Sequence, residues 1–260
     1  MKPGFRAPIL VFLLAASAAH PETLRFDPLA DGVLLGGGML LAGGSELLFS
    51  LLPPAAPAAA QQSDVNAFDA LFLAPYSAGL DAAGEACQYA VLALPVLSLF
   101  LGDVEEGMGA IMVAAEAYSW AYGAKNMLKY FLPRWRPYTY TGGAAGVDAD
   151  EDSVSFPSGH ATMAFAAAAV NTWLFARLIP DSPWLFPFVG LNYALAGATA
   201  TLRVASGMHF ATDVIVGALL GTAVGYGVPL LRDALLSGQG GGRVSLAPTS
   251  GGVRLSLRLD

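Results

Sequence analysis

Three short stretches of basic, hydroxyl and imidazole side chains lie at the ends of apolar segments. KYFLPRWRP carries Lys129 and Arg136, PSGH covers residues 157–160, and RVASGMHFATD begins at Arg203 and includes His209. Ammonium and guanidinium groups bind phosphate oxygens, and a guanidinium fork can hold two of them at once. The three cations therefore predict an oxyanion site.

The PSGH stretch also predicts the start of a helix. Ser158 can cap a helix whose first backbone amides, at about Gly159 and His160, then point outward with the positive end of the helix dipole. Those amides would add hydrogen-bond donors to the same anion.

The histidines indicate proton transfer and nucleophilic attack. His209 and Asp213 are four residues apart, so on a helix they share a face, and the carboxylate can accept a proton from one ring nitrogen while the other acts as base or nucleophile. His160 could protonate a leaving oxygen. The chain has three histidines and one cysteine, Cys87, which disfavours a metal site and excludes an internal disulfide. A magnesium site of carboxylates alone has no motif to support it.

The composition predicts a membrane protein. Of 260 residues, 55% are apolar and 13% charged. Several apolar segments are near the ~20 residues that span a bilayer. The segments cover residues 32–52, 87–102, 107–129, 159–178, 184–202 and 210–231. We predict an all-α, polytopic membrane helical bundle of five or six transmembrane helices with its active site at helix ends. The net charge of -7 and the lack of a basic run argue against a nucleic-acid partner.

The chain divides into four parts. Residues 1–20 have the pattern of a secretory signal peptide, and residues 21–86 contain an apolar helix and a Pro/Ala-rich linker. Residues 87–236 form the predicted helical bundle that contains the three stretches. For residues 237–260 we predict a flexible tail, with a short strand around VRLSLRL as the alternative.

Three features inside this frame have two readings each. Glu46 and Glu116, within apolar segments, are either a polar lining or acids between helices that are protonated or hydrogen-bonded. Gly217, Gly221 and Gly225 recur at every fourth position and predict either a close helix approach in lipid or plain packing. The DADED run, residues 148–152, is typical of a solvated loop, although its charge could disfavour highly anionic headgroups.

Together the three stretches resemble a known signature. Their order and spacing are similar to those of the type 2 phosphatidic acid phosphatase superfamily, which includes bacterial acid phosphatases and vanadium haloperoxidases. The resemblance covers about Glu106 to Leu231 and rests on Lys129, six residues, Arg136 and Pro137; Pro157, Ser158, Gly159 and His160; and Arg203, five residues, His209, three residues and Asp213.

The resemblance implies a metal-independent phosphatase without a cofactor. His209 would attack phosphorus to give a phosphohistidine, Asp213 would hold its ring, and His160 would protonate the leaving alkoxide. The phosphate oxygens would be held by Lys129, Arg136, Ser158, Gly159 and Arg203. Leu202 stands where the family usually has Ser, so one phosphate hydrogen bond or helix-end contact is expected to be missing.

The membrane setting indicates the substrate class. A phosphate pocket among helix ends favours a lipid phosphate or pyrophosphate, with undecaprenyl pyrophosphate, phosphatidic acid, phosphatidylglycerophosphate and lipid A phosphates as candidates. The alternatives are a vanadate-dependent haloperoxidase and a lipid-phosphate binding or transport protein without turnover. The sequence does not indicate an oligomeric state.

We expect a multi-pass protein of the inner membrane whose site faces the periplasm or the outside. A cleaved signal followed by six crossings would instead put the site in the cytoplasm, whereas Arg177 and Arg232, away from the site, favour a cytoplasmic far side. The conflict would be removed if residues 32–52 do not fully cross, or if the N-terminal segment is not cleaved.

Overall fold

A computed structural model describes residues 24–54, 60–101, 103–143, 149–241, 244–249 and 252–257. The predicted signal peptide lies outside these residues. The described part contains seven α-helices, four 3-10 segments and one hairpin. The helices are α1 Ala30–Leu51, α2 Ala67–Ala70, α3 Ala78–Ala93, α4 Val104–Phe131, α5 Gly159–Leu178, α6 Leu185–Ala205 and α7 Ala211–Gly241; the 3-10 segments are Gln62–Asp64, Leu94–Phe100, Pro137–Tyr140 and Ala149–Glu151; the strands are β1 Val244–Thr249 and β2 Gly252–Leu257.

Five of the described helices are long and apolar enough to cross a membrane. They are α1, α3 with the 3-10 segment that follows it, α5, α6 and α7 up to Ser237. Helix α4 has 28 residues, about 42 Å at the usual rise, but it carries several charged side chains. The prediction of a polytopic helical bundle is confirmed.

Helix α5 is the centre of the bundle. In its most apolar window 78% of the residues are buried, against 17% for α6 and 33% for α7. Small alanines allow this, because α4, α6 and α7 can all approach its axis closely. The predicted glycine contact is confirmed: a Cβ on Gly217 would lie 2.7 Å from the backbone oxygen of Ser158, the cap of α5, and a Cβ on Gly221 or Gly225 would lie 2.1 or 2.4 Å from a backbone oxygen of α5 itself.

Helix α1 runs parallel to α4 along most of its length. Near its start, Trp120 donates its indole N–H to the carbonyl of Leu34 at 2.7 Å. Near its end, the rings of Phe49 and Tyr130 meet edge to face, with centroids 5.6 Å apart. Helix α1 therefore packs against α4 from one end of the bundle to the other, which favours a full crossing by residues 32–52.

The helices alternate between two ends of the bundle. We call the end where α4 and α6 finish and α5 and α7 begin the site end, and the opposite one the far end. At the far end Arg232 of α7 binds Asp31 of α1 through a 2.6 Å contact between Nε and Oδ1, with both side chains buried. The chain therefore enters the bundle at the start of α1 and leaves it at the end of α7 on the same side, at the far end.

Regular structure continues past the bundle. Helix α7 reaches Gly241, and β1 and β2 pair antiparallel, with Ser245 opposite Ser256. This differs from the flexible tail predicted for residues 237–260 and agrees with the strand alternative, because pairing satisfies backbone groups that a lone strand would leave to water. In the linker before α3, residues 60–77 include a 3-10 turn and the short α2.

Candidate active site

The site end brings the predicted residues together. They lie in the last turns of α4 and α6, at the first turns of α5 and α7, and in the loops between these helices. Five of them line a cavity of about 630 Å³: Lys129, Arg136, Gly159, His160 and His209. Ser158, Arg203 and Asp213 lie directly behind its wall and are buried.

The start of α5 has the predicted cap. Ser158 has an extended backbone, and its Oγ accepts a hydrogen bond from the amide of Ala161 at 3.4 Å. Gly159 leaves room for lysine stems, since a Cβ there would lie 3.1 Å from Cδ of Lys125 and 3.7 Å from Cε of Lys129. The first amides of α5 thus face a space that two ammonium groups also enter.

The spacing of His209 and Asp213 predicts that both lie on one helix, but His209 lies in a turn. Helix α7 begins two residues later, and Gly207, with φ of 72°, makes the turn from α6. The backbone amide of His209 binds the carbonyl of Arg203 at 3.1 Å. The turn presents the imidazole to the cavity, where its Nε2 lies 3.3 Å from Nη1 of Arg136.

The expected hydrogen bond between His209 and Asp213 is not formed. Nδ1 of His209 lies 3.7 Å from Oδ2 of Asp213 and has no hydrogen-bond partner. Burial, followed by the nearby Arg136, Lys129 and Arg203 cations, holds the pKa of His209 well below its usual value. The ring is therefore neutral near pH 7, as a nucleophile must be.

Three other donors fix the carboxylate of Asp213. Arg134 Nη1 lies 2.5 Å from Oδ1, and Ser155 Oγ and the amide of Phe210 lie 2.6 and 2.9 Å from Oδ2. From the sequence, Arg134 is expected beside the site but without a role in the chemistry. Its position within KYFLPRWRP, two residues before Arg136, was the available signal.

The predicted phosphate-binding cations already have oxygen partners. Arg136 donates to the backbone oxygen of Glu151 at 2.7 Å and contacts its carboxylate, and Arg203 contacts the carboxylate of Asp81. Lys129 donates to the carbonyl of Val154. These oxygens occupy donors that a phosphate would use.

The acidic loop is therefore more than a solvated surface, in contrast to the prediction. Burial raises the pKa of Glu151, but the Arg136 and Lys129 charges outweigh it and hold that pKa below its usual value. Asp152 accepts a hydrogen bond from the hydroxyl of Tyr138 at 2.7 Å. Contacts of Glu151 and Asp152 thus hold the segment around Arg136 at the edge of the cavity.

Comparison with known families agrees with this geometry. Residues 109–236 match the model of the PAP2 superfamily. Those residues are a PAP2 superfamily domain. Every predicted site residue falls within it, in agreement with the resemblance seen in the sequence.

A curated bacterial protein is similar in sequence. Over 103 residues the chain is 35% identical to a lipid A 1-phosphatase of Porphyromonas gingivalis, a match that covers 40% of this chain and 19% of that protein. The chain thus spans about a fifth of the length of that curated relative.

Two crystal structures are similar. A transmembrane PAP2-type phosphatidylglycerolphosphate phosphatase from Bacillus subtilis is 19% identical, with a TM-score of 0.47, over 87% of this chain and 94% of that one. Aquifex aeolicus LpxE is 23% identical, with a TM-score of 0.41, over 59% of this chain and 87% of that one.

Helices outside the PAP2 domain supply carboxylates to it. Asp81 and Glu85 lie on α3, and Asp69 lies on α2. Asp81 contacts Arg203, Asp69 contacts Arg134, and Glu85 Oε1 lies 3.6 Å from Nε2 of His160. Sequence reasoning missed all three, since no local pattern connects them with the PAP2 domain.

Leu202 is not among the residues that line the cavity of the PAP2 domain. A Cβ on Gly84 of α3 would lie 3.3 Å from Cβ of Leu202 and 3.4 Å from Cδ of Arg203. The residue that replaces the family Ser therefore packs where α3 and α6 come close together.

The two intramembrane glutamates have different settings. Glu46 lines the cavity, and its Oε1 accepts hydrogen bonds from Tyr122 at 2.6 Å and Asn126 at 2.7 Å. Glu116 is fully buried toward the far end, in the electrostatic surroundings of Asp31 and Arg232. Glu46 matches the polar-lining reading, and Glu116 matches that of an acid between helices.

The described residues show no group of three or more His, Cys, Asp or Glu side chains that could hold a metal ion. Metal independence stays a prediction. The cations of the PAP2 domain have the charge and the donors to stabilise an oxyanion by themselves.

Proposed function

We propose that this protein is a membrane lipid phosphatase that works through a phosphohistidine, without a metal or another cofactor. The observation that carries the proposal is the neutral, buried imidazole of His209. Its Nε2 faces a cavity that Lys129, Arg136 and His160 also line. The PAP2 domain supports the same reaction class.

The residues divide the reaction into two steps. In the first, Nε2 of His209 forms a bond to phosphorus, the bond from phosphorus to the lipid oxygen breaks, and its electron pair leaves with that oxygen. His160 gives the oxygen a proton. In the second step a water attacks the phosphohistidine, His160 takes a proton from the water, and phosphate leaves as His209 regains its lone pair.

Positive charge stabilises both transition states. Lys129, Arg136 and Arg203, with the first amides of α5, would hold the three non-bridging oxygens. Asp213 would balance the charge that His209 gains on attack. Phosphate would displace Glu151 and Asp81 from the arginines, an exchange of one oxyanion for another.

We propose a lipid monoester or pyrophosphate as substrate. The cavity continues from the polar end to apolar side chains of α1, α3 and α5, which would take the first part of a lipid tail: Phe49, Tyr89, Leu92 and Met163. The relatives act on lipid A and on phosphatidylglycerolphosphate by their names, so both belong in a substrate panel beside phosphatidic acid and undecaprenyl pyrophosphate.

We propose that the site faces outward from the inner membrane. Apart from the cations of the site itself, the described cations of the bundle lie at the far end, on Arg25, Arg177 and Arg232. Cations near the ends of membrane spans favour the cytoplasmic side. Because α1 starts at the far end, this orientation requires that the N-terminal segment is not removed as a cleaved signal.

A cysteine-labelling experiment tests the orientation. In a Cys87→Ser background, Ala149→Cys at the site end and Asp181→Cys between α5 and α6 give two exposed probes. An impermeant maleimide added to intact cells with a permeabilised outer membrane should label the first and not the second. The reverse pattern would place the site in the cytoplasm.

A phosphate-release panel tests the activity. Wild type should release phosphate from at least one lipid of the panel, and His209→Ala should release none, while the exposed Thr201→Ala on α6 keeps wild-type rates. Binding of the lipids without release would favour a binding or transport protein. Bound vanadium with halide oxidation would favour the haloperoxidase alternative.

A further inference from the structure

Asp69 connects a segment outside the PAP2 domain to the start of α7. Its side chain is fully buried. Oδ1 accepts the backbone amide of Thr212 at 2.9 Å, and Oδ2 accepts the Thr212 hydroxyl at 2.7 Å. The side-chain amide of Asn66, the N-cap residue of α2, also donates to Oδ2 of Asp69, at 2.6 Å. A carboxylate from 143 residues away thus caps the helix that carries Asp213.

Arg134 lies between two carboxylates. Its Nη2 binds Oδ2 of Asp69 at 2.7 Å, and its Nη1 binds Oδ1 of Asp213 at 2.5 Å. The guanidinium also lies over the ring of Phe210, with Cζ 4.0 Å from the centroid. The cation is held on one side by Asp69 and holds Asp213 on the other.

The charges show that this arrangement is ionic. Burial raises the pKa of Asp69, but hydrogen bonds from Arg134 and Thr212 outweigh it and leave that pKa below its usual value. Burial likewise lowers the pKa of Arg134, and the negative charge of Asp213 with that of Asp69 more than offsets this. One guanidinium group therefore binds two buried carboxylates.

We propose that Asp69 and Arg134 are positioning residues, which hold the carboxylate of Asp213 3.7 Å from Nδ1 of His209, where it balances the charge that the ring gains on attack. The inference rests on the proposed phosphatase activity. Asp213 takes no proton from His209 in this structure, so its location depends on Arg134, Ser155 and the Phe210 amide. Without Asp69, Arg134 loses the anchor that keeps its fork on Asp213.

The first experiment uses Asp69→Asn. Its carbonyl oxygen can still accept the Thr212 amide, so the cap survives, but its NH₂ group faces the guanidinium of Arg134 and repels it. We expect kcat to fall about tenfold with KM changed less than twofold, because the loss affects the attacking ring and not the substrate contacts. The exposed Asp64→Asn, in the same segment, should leave both values unchanged.

The second experiment is a double-mutant cycle. Arg134→Gln should lower kcat at least as much as Asp69→Asn, and the double variant should fall no further than Arg134→Gln alone, since Asp69 acts through Arg134. Arg134→Lys should recover only part of the rate, because an ammonium group cannot bind both carboxylates with the same geometry.

A binding measurement that does not depend on turnover distinguishes this inference from the proposed function. Orthovanadate titration followed by tryptophan fluorescence should show about tenfold weaker binding in Asp69→Asn than in wild type. A lower melting temperature with unchanged kcat and vanadate affinity would reduce Asp69 to a helix cap and overturn the inference. If wild type releases no phosphate from any lipid, the proposed activity fails, and the vanadate comparison still decides the positioning role.

Discussion

The carboxylate of Asp81, in the first turn of α3, contacts the guanidinium of Arg203, in the last turn of α6. Arg203 has only 2% of its side chain exposed, so the contact neutralises a charge that burial would otherwise make costly. A helix outside the PAP2 domain therefore stabilises a cation inside it.

Removal of the Asp81 carboxylate should make the thermal stability of the protein depend more strongly on a bound anion. We expect Asp81→Asn to lower the melting temperature in detergent, because Arg203 is left buried without a counter-charge. Orthovanadate should then raise the melting temperature more in the variant than in wild type. The exposed Asp181→Asn serves as control. An equal orthovanadate shift in both proteins would mean that the anion does not reach Arg203.

The α5–α7 contact should not tolerate a methyl group at Gly221. A Cβ there would lie 2.1 Å from the carbonyl oxygen of Thr162, whereas a Cβ on Gly227 of the same helix would meet nothing within 4 Å. Gly221→Ala should lower the unfolding free energy by about 2 kcal/mol, and Gly227→Ala should leave it equal or slightly higher. Thermal unfolding in detergent distinguishes the two.

The far-end ion pair should be important for stability and not for chemistry. Arg232 and Asp31 each expose 1% of their side chains, so Asp31→Asn leaves an unpaired buried charge at a cost of about 3 to 5 kcal/mol. We expect a lower yield of folded protein and a normal kcat per folded molecule. A reduced kcat in the folded fraction would show that the far end is coupled to the site.

Leu202→Ser should not reduce phosphate release. Leu202 packs against α3 at Gly84, so a smaller side chain loosens that contact without removing a phosphate donor. Conversely, Gly84→Val should displace Arg203 and lower kcat/KM, and Leu202→Ser should restore part of the loss by making room. Steady-state kinetics of the two single variants and the double variant test this compensation.

Acid should act on His209 only at unusually low pH. Because its folded-state pKa is depressed, the ring stays neutral as the pH falls through ~6.5, where an unfolded chain takes up a proton. The stability from the neutral ring is complete above ~6.5 and declines below it. Nitrogen NMR of labelled histidines, assigned with His209→Ala, should show His209 still neutral below pH ~6.5, where an ordinary histidine is protonated. A midpoint near 6.5 would contradict the burial of this ring.

Much of the site followed from the sequence because polar residues in a membrane protein collect where apolar segments end. Lys129, His160 and Arg203 could be placed together for that reason, and the structure puts them at one end of the bundle. The argument from helical spacing was wrong in detail for His209, because the left-handed Gly207 ends the helical pattern before α7 begins.

The partners of the site could not be predicted in this way. Asp69 caps α7 from 143 residues away, and Asp81 reaches Arg203 across 122 residues. Such contacts depend on how α2 and α3 pack beside the bundle, which no periodicity or short motif records. The sequence shows that Asp69 and Asp81 are acidic, but it does not show which cation each carboxylate contacts.

The parallel course of α1 and α4 puts the first and last turns of the bundle on the same side of the membrane. Whatever is attached before α1 or after α7, the β1–β2 hairpin included, joins the bundle at the end remote from the cavity. Additions at either terminus can therefore change length or partner while the opening for the lipid stays clear.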